Sequence, residues 1–232
     1  MILIGTLVNG ALIIMGTLIG LSLNSIPERI KQAVSKVSGL FIIVIGLKMV
    51  VTMKNPIIAL LSLTVGAVLG ELIDIDQWFN KLGSWIESKF NRKESNVSSA
   101  FVTATLIYVI GAMAVVGSLE SGLSNNHTIL LTKSVLDGVT SIILSSTLGF
   151  GVMISAIPVI LYQGIITLLA TQIDSFIAHS LLNKLIDIIT AIGGVMILAI
   201  GMNMLEITKI RIANLLPSLL IGCMLVTIIY KL

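Results

Sequence analysis

The sequence predicts an all-α fold, a polytopic transmembrane helix bundle of about eight spans with an inverted internal repeat. Three observations carry that expectation. The 232 residues are 56% hydrophobic and only 11% charged, with a mean hydropathy of +1.10, whereas roughly a quarter of a soluble domain is charged. Apolar runs of the ~17–25 residues needed to cross a bilayer recur from one end of the chain to the other. A glycine-spaced pattern near residue 40 also returns near residue 195. No stretch is left over for a soluble domain, so residues 1–232 are read as one integral membrane domain.

The spans fall near 2–23, 34–53, 56–73, 98–118, 129–147, 150–172, 185–205 and 212–231. The first has no basic n-region and no small-residue cleavage signal before Asn24, so it is read as a retained span. Arg29, Lys31, Lys36, Lys81, Lys89, Arg92, Lys93, Lys209 and Arg211 gather on one side of this arrangement, which the positive-inside rule assigns to the cytoplasm of a bacterial inner membrane, with both termini outside. The span at 129–147 is the weakest, because it contains Lys133, Asp137 and several hydroxyls. If it only dips into the bilayer, every later orientation reverses.

Residues 75–90, "IDQWFNKLGSWIESKF", place Trp78, Phe79, Leu82, Trp85, Ile86 and Phe90 at helical spacing opposite Asp76, Lys81, Glu87 and Lys89. That is an amphipathic helix expected to lie flat at the cytoplasmic headgroups, where tryptophan is favoured. An anchor is the bland reading of it, and a docking surface for a partner protein is the sharper one. "NRKESNVSS" after it reads as a polar linker.

The repeat appears when "SKVSGLFIIVIGLKMV" (35–50) is laid on "TAIGGVMILAIGMNML" (190–205). Gly39 then meets Gly194, Ile42 meets Ile197, Ile45 meets Ile200, Gly46 meets Gly201 and Met49 meets Met204. Apolar residues match by chance in membrane helices, but a shared seven-residue glycine spacing is harder to obtain that way. "ALLSLTVGAVLG" (59–70) also resembles "NLLPSLLIGCML" (214–225), and Asn9 falls close to Gln163. The chain therefore divides into repeat A (1–74), the amphipathic helix, central spans (97–148) and repeat B (150–232). Five crossings separate span one from span six, so the second copy is inverted, an architecture common among secondary transporters with a midplane site.

Glycines have two expected uses. "GTLIG" (16–20) and "GAVLG" (66–70) are small-residue faces that let helix backbones approach, within the bundle or across a homodimer. Gly149, Gly151 and Pro158 in "TLGFGVMISAIP" mark a tight turn or broken helix beside a site, and Gly138 and Gly164 are counted with them as hinge candidates.

The site candidates are polar residues inside apolar runs. Lys133 and Asp137 stand at i and i+4, where they can neutralise each other, and an ionisable residue at a membrane helix centre costs roughly 2.5–3.5 kcal/mol on insertion scales. Ser141 and Ser145 extend the Asp137 face, which reads as the wall of a polar interior. Asn9, Tyr162 and Gln163 add neutral donors and acceptors, whose ordinary use is helix–helix hydrogen bonding worth about 0.6 kcal/mol. Glu120 at a span end and the repeat-matched Lys48 and Asn203 are reserve candidates, although Lys48 is near enough to a span end to snorkel.

Other chemistry is not signalled. The single cysteine, Cys223, excludes an internal disulfide, and His127 and His179 have no metal-ligand spacing. No nucleophile elbow, phosphate loop or metalloprotease helix occurs, so neither an enzyme, a cofactor nor a metal is expected. The excess of base flanks apolar runs and gives no nucleic-acid surface.

The strings "IGTLVNGALIIMGTLIGL", "SGLFIIVIGLKMV", "GAVLGELIDI", "VGSLESGL", "KSVLDG" and "GFGVMISAIPVILYQG" together resemble the bacterial inner-membrane family called domain of unknown function 554, in order and over essentially the whole chain. The resemblance implies a small multispanning bacterial protein, at most a transporter, and highlights Asp137, Gly138, Pro158, Tyr162, Gln163 and Gly164. It brings no ligand. The functional expectation is a secondary transporter or ion-coupled permease for a small solute. A passive channel and a non-transporting scaffold acting through helix 75–90 are the alternatives.

Overall fold

The computed structural model describes residues 2–22, 28–81 and 97–231. The described chain is helical, with no strand: α1 (Ile4–Ser22), α2 (Glu28–Val51), α3 (Pro56–Ile73), α4 (75–81), α5 (Val97–Val109), α6 (Ala112–Ser124), α7 (Thr128–Leu148), α8 (Gly151–Ile154), α9 (Ala156–Leu168), α10 (Ala170–Phe176), α11 (His179–Met204) and α12 (Pro217–Lys231). A 3-10 turn, Ile212–Leu215, leads into α12. Among the described residues, seven segments are long and apolar enough to cross a bilayer, and the bent pair α5–α6 makes eight if it crosses as one. Most large exposed side chains on them are leucine, isoleucine and valine, as lipid-facing surfaces require. The protein is an all-α, multi-pass membrane helix bundle.

One segment agrees with the sequence expectation where it was weakest, and one differs. The weak span is an unbroken 21-residue helix, α7, because its charges and hydroxyls are satisfied within its own length. The span at 98–118 instead breaks in the middle, bending by 59° between α5 and α6. The break is at Gly111, with φ 140° and ψ 150°, a conformation essentially closed to residues with a side chain. A methyl group on Gly111 would meet nothing within 4 Å, so this glycine is required by its backbone and not by packing. The anticipated turn at Gly149 is also present, with φ 83°. Gly138 and Gly164 lie inside continuous helices. Of the amphipathic helix 75–90, only 75–81 belongs to the described residues, and there Trp78 is exposed.

The chain forms two compact units. The first comprises Met1–Ser38 and Asn80–Phe176. In it α1 packs along α7 in parallel: Gly5 abuts Leu130, Gly16 abuts the Gly138 carbonyl, and Gly20 abuts Ile142 and Ser145. A methyl group at Gly16 or Gly20 would overlap backbone of α7. α9 crosses the same helix antiparallel, Gly10 against Ile160 and Gly164 against Leu3 and Thr6. Ile13, Ala100, Ala104, Tyr108, Leu130 and Val159 are fully or almost fully buried here.

The second unit comprises Gly39–Phe79 and Ile177–Leu232. Here α2 and α11 cross antiparallel in a reciprocal way. A methyl group on Gly39 would lie 3.2 Å from the Gly201 carbonyl oxygen, and one on Gly201 2.7 Å from that of Gly39. Gly46 and Gly194 repeat the arrangement at 2.8 and 3.1 Å. α3 and α12 do the same, with Gly66 against Ser218 and Gly222 against Ser62. The glycine faces 16–20 and 66–70 are thus filled by helices of the same chain. Of the two uses expected for these faces, within the bundle or across a homodimer, this packing is the first.

Candidate functional site

α7 carries the only charged side chains among the described residues that are buried, Lys133 and Asp137, at 6% and 7% exposure. They form an ion pair one helical turn apart. Pairing is what allows them to be there, because removing one partner from a buried pair leaves an uncompensated charge at a cost of about 3–5 kcal/mol.

Other side chains attach to this pair. Asn9 on α1 lies close to Asp137, and its Nδ2 donates to Gln163 Oε1 on α9 at 3.2 Å. Asn9 therefore ties α1 to α9 beside the pair on α7, and both amides have zero exposure. On the other side, Ser141 Oγ donates to the Asp137 carbonyl at 2.7 Å. Its single hydrogen is then committed, so Tyr108 on α5 is the donor in the 2.7 Å Tyr108–Ser141 bond. The Lys133 ammonium stands 6.0 Å from the centre of the Tyr108 ring, at the outer limit of cation–π attraction.

Four helices thus converge on one buried polar cluster: Asn9, Tyr108, Lys133, Asp137, Ser141 and Gln163. The sequence reading named five of these and missed Tyr108. A lone phenol three residues before the glycine of "IYVIGAM" was the available signal, but nothing in the sequence said that the span would break there and turn the tyrosine inward. Ser145 is placed differently from the expectation of a lining oxygen. Its hydroxyl donates to the Ser141 carbonyl at 2.6 Å and lies 3.2 Å from the Thr17 carbonyl, so this end of the face is sealed against α1.

The remaining candidates lie elsewhere. Tyr162 is half-buried on α9. Glu120, near the end of α6, accepts from Asn126 in the following loop at 2.7 Å. Lys48 is exposed in the last turn of α2. Asn203 organises the turn after α11, donating to the Ile210 carbonyl at 2.7 Å and accepting from Thr208 and the Ile210 amide at 2.8 and 2.9 Å. Pro158 is in the first turn of α9, and Gly151 packs against Val97 and Ala100.

Comparison with known proteins agrees with a membrane protein. The family described as a protein of unknown function, DUF554, matches residues 4–227. The chain belongs to the DUF554 family. It is 35% identical over 231 residues to the uncharacterised membrane protein YdfK of Bacillus subtilis strain 168, covering 97% of this chain and 96% of YdfK. It is 26% identical over 226 residues to the uncharacterised protein YqgA of Escherichia coli strain K12, covering 94% of each. No solved structure matches it. Both the Asp137 string "LDG" and the Gln163 string "YQG" fall inside the matched segment.

Proposed function

We propose that this DUF554 protein is a secondary transporter or ion-coupled permease for a small solute, with its site at the Asp137 cluster. The observation that carries the reading is the Lys133–Asp137 pair, buried in a membrane-spanning helix beside the buried Asn9–Gln163 bond that joins two antiparallel helices. Intramembrane ionisable residues that face a bundle interior are a functional hypothesis by default. In this reading Asp137 is the proton- or cation-coupling carboxylate, Lys133 its charge partner, and Asn9, Gln163, Ser141 and Tyr108 polar ligands.

Two further features support it. The residues matched by the sequence repeat cross one another: Gly39 and Gly46 meet Gly201 and Gly194, and Asn9 meets Gln163. Inverted copies related by a local two-fold axis would cross in this reciprocal manner. The α5–α6 break brings irregular backbone to a spanning segment, tolerated where it is covered by protein or borders a cavity. We also propose the bacterial inner membrane as location, with both termini outside and α4 at the cytoplasmic face, from the distribution of lysine and arginine.

The test is solid-supported-membrane electrophysiology on reconstituted protein under sodium, potassium and proton gradients and a small-solute panel. A wild-type current lost in Asp137→Asn, with unchanged elution from size exclusion, is the expected result. Equal currents in both proteins would remove Asp137 from the pathway.

A further inference from the structure

The α1–α9 crossing holds polar atoms that the cluster does not use. Thr6 Oγ1, Asn9 Oδ1, Gln163 Nε2 and Thr167 Oγ1 are all buried and have no hydrogen-bond partner among the described residues. Their residues are between 0% and 2% exposed. An unsatisfied buried donor or acceptor costs about 1–3 kcal/mol, so four in one crossing form a built but incomplete arrangement. They also have an order. Asp137 sits beside Gly138, which packs at the level of Leu12 of α1. Asn9 lies nearer the N-terminus of α1, Gln163 pairs with Asn9, and Thr6 touches the position of Gly164. Thr167 follows one turn along α9.

The row is chemically polarised. One end accepts, through the Asp137 carboxylate and Asn9 Oδ1. The other end donates, through both hydrogens of Gln163 Nε2 and the hydroxyls of Thr6 and Thr167, enough for the lone pairs of one carboxylate. At the accepting end an ammonium is already present, that of Lys133, which pairs with Asp137 and stands 6.0 Å from the centre of the Tyr108 ring. An added net charge at this depth is costly, so a ligand of zero net charge with separated ends fits best.

We propose that the site takes a small zwitterion: its ammonium replaces that of Lys133 on Asp137 and Asn9 Oδ1, while its carboxylate is held by Gln163, Thr6 and Thr167. This rests on the transporter reading and names its substrate class. The test is isothermal titration calorimetry on the purified full-length protein with glycine, alanine and β-alanine, and with ammonium chloride and sodium acetate as the separated halves. Thr6→Val and Thr167→Val keep the side-chain shape and remove the hydroxyls, so folding is preserved independently of Gln163→Met. The expected result is binding of at least one zwitterion, at least tenfold weaker in each valine variant, with both separated halves silent. Ammonium binding as tight as that of the zwitterions, indifferent to Thr6→Val, would overturn the proposal. So would the absence of zwitterion binding in protein that still gives an Asp137-dependent current, which leaves transport of another ion or solute standing. Threonine-dependent zwitterion binding without current or uptake would keep the site and sink the transporter reading.

Discussion

The α1–α7 seam of the first unit and the α2–α11 seam of the second both press helix backbones together over glycine, yet they enclose different things. Around α1 and α7 the close approach is followed by an ion pair, two amides and hydroxyls. Between α2 and α11 it is followed by Ile42, Met196, Ile197 and Ile200. Glycine gives proximity in both, so proximity is not what distinguishes a working site. The distinction lies in the side chains one turn away from each glycine. In a membrane an unpartnered polar group there is costly.

The comparison can be broken at graded cost. The largest effect is expected for Gly20→Leu, whose side chain would enter the Ile142 carbonyl and Ser145. It should abolish monodisperse protein on fluorescence-detected size exclusion. Next, Asp137→Ala leaves Lys133 buried and unpaired and should destabilise by about 3–5 kcal/mol. Lys133→Met combined with Asp137→Leu should recover most of that loss in a thermal unfolding assay while remaining inactive in transport. A double variant as unstable as Asp137→Ala would mean that packing, and not charge, holds the seam.

Gly111→Ala is smaller and of a different kind. No atom is in the way, so its cost is backbone strain of about 1–3 kcal/mol. An unchanged melting temperature would show that α5 and α6 need no glycine at their break. In the second unit, Gly39→Ala should lower stability measurably through the Gly201 carbonyl at 3.2 Å. Cys223, the chain's one cysteine, is half-buried in α12, so a thiol-reactive dye reports melting of that unit. Gly164→Ala is the smallest, since the nearest atoms are 4.0 Å away. It should be neutral, or stabilising by up to about 1 kcal/mol through lower backbone entropy in the unfolded chain.

Much of this was legible beforehand for a physical reason. Spans, and the candidate pair Lys133–Asp137, depend on hydropathy and i,i+4 spacing, which are properties of local sequence. The glycine pattern 39/46 and 194/201 was legible too, because few residue types allow such contact. Ser145 was misread as a lining residue because the sequence shows that its hydroxyl shares the Asp137 face but not that α1 closes that face. Lys48 and Asn203 looked paired by the repeat, yet Asn203 spends its amide on its own turn.

By itself the sequence determined a membrane bundle, the approximate positions of its apolar runs and which residues must find polar partners if they enter the bilayer, since transfer cost depends only on what a residue is. Tertiary structure decided which partners those are. Asn9 reaches Gln163 across 154 residues, and Tyr108 reaches Ser141 across 33. Such bonds depend on where helices cross and where α5 breaks, geometry that no local spacing encodes.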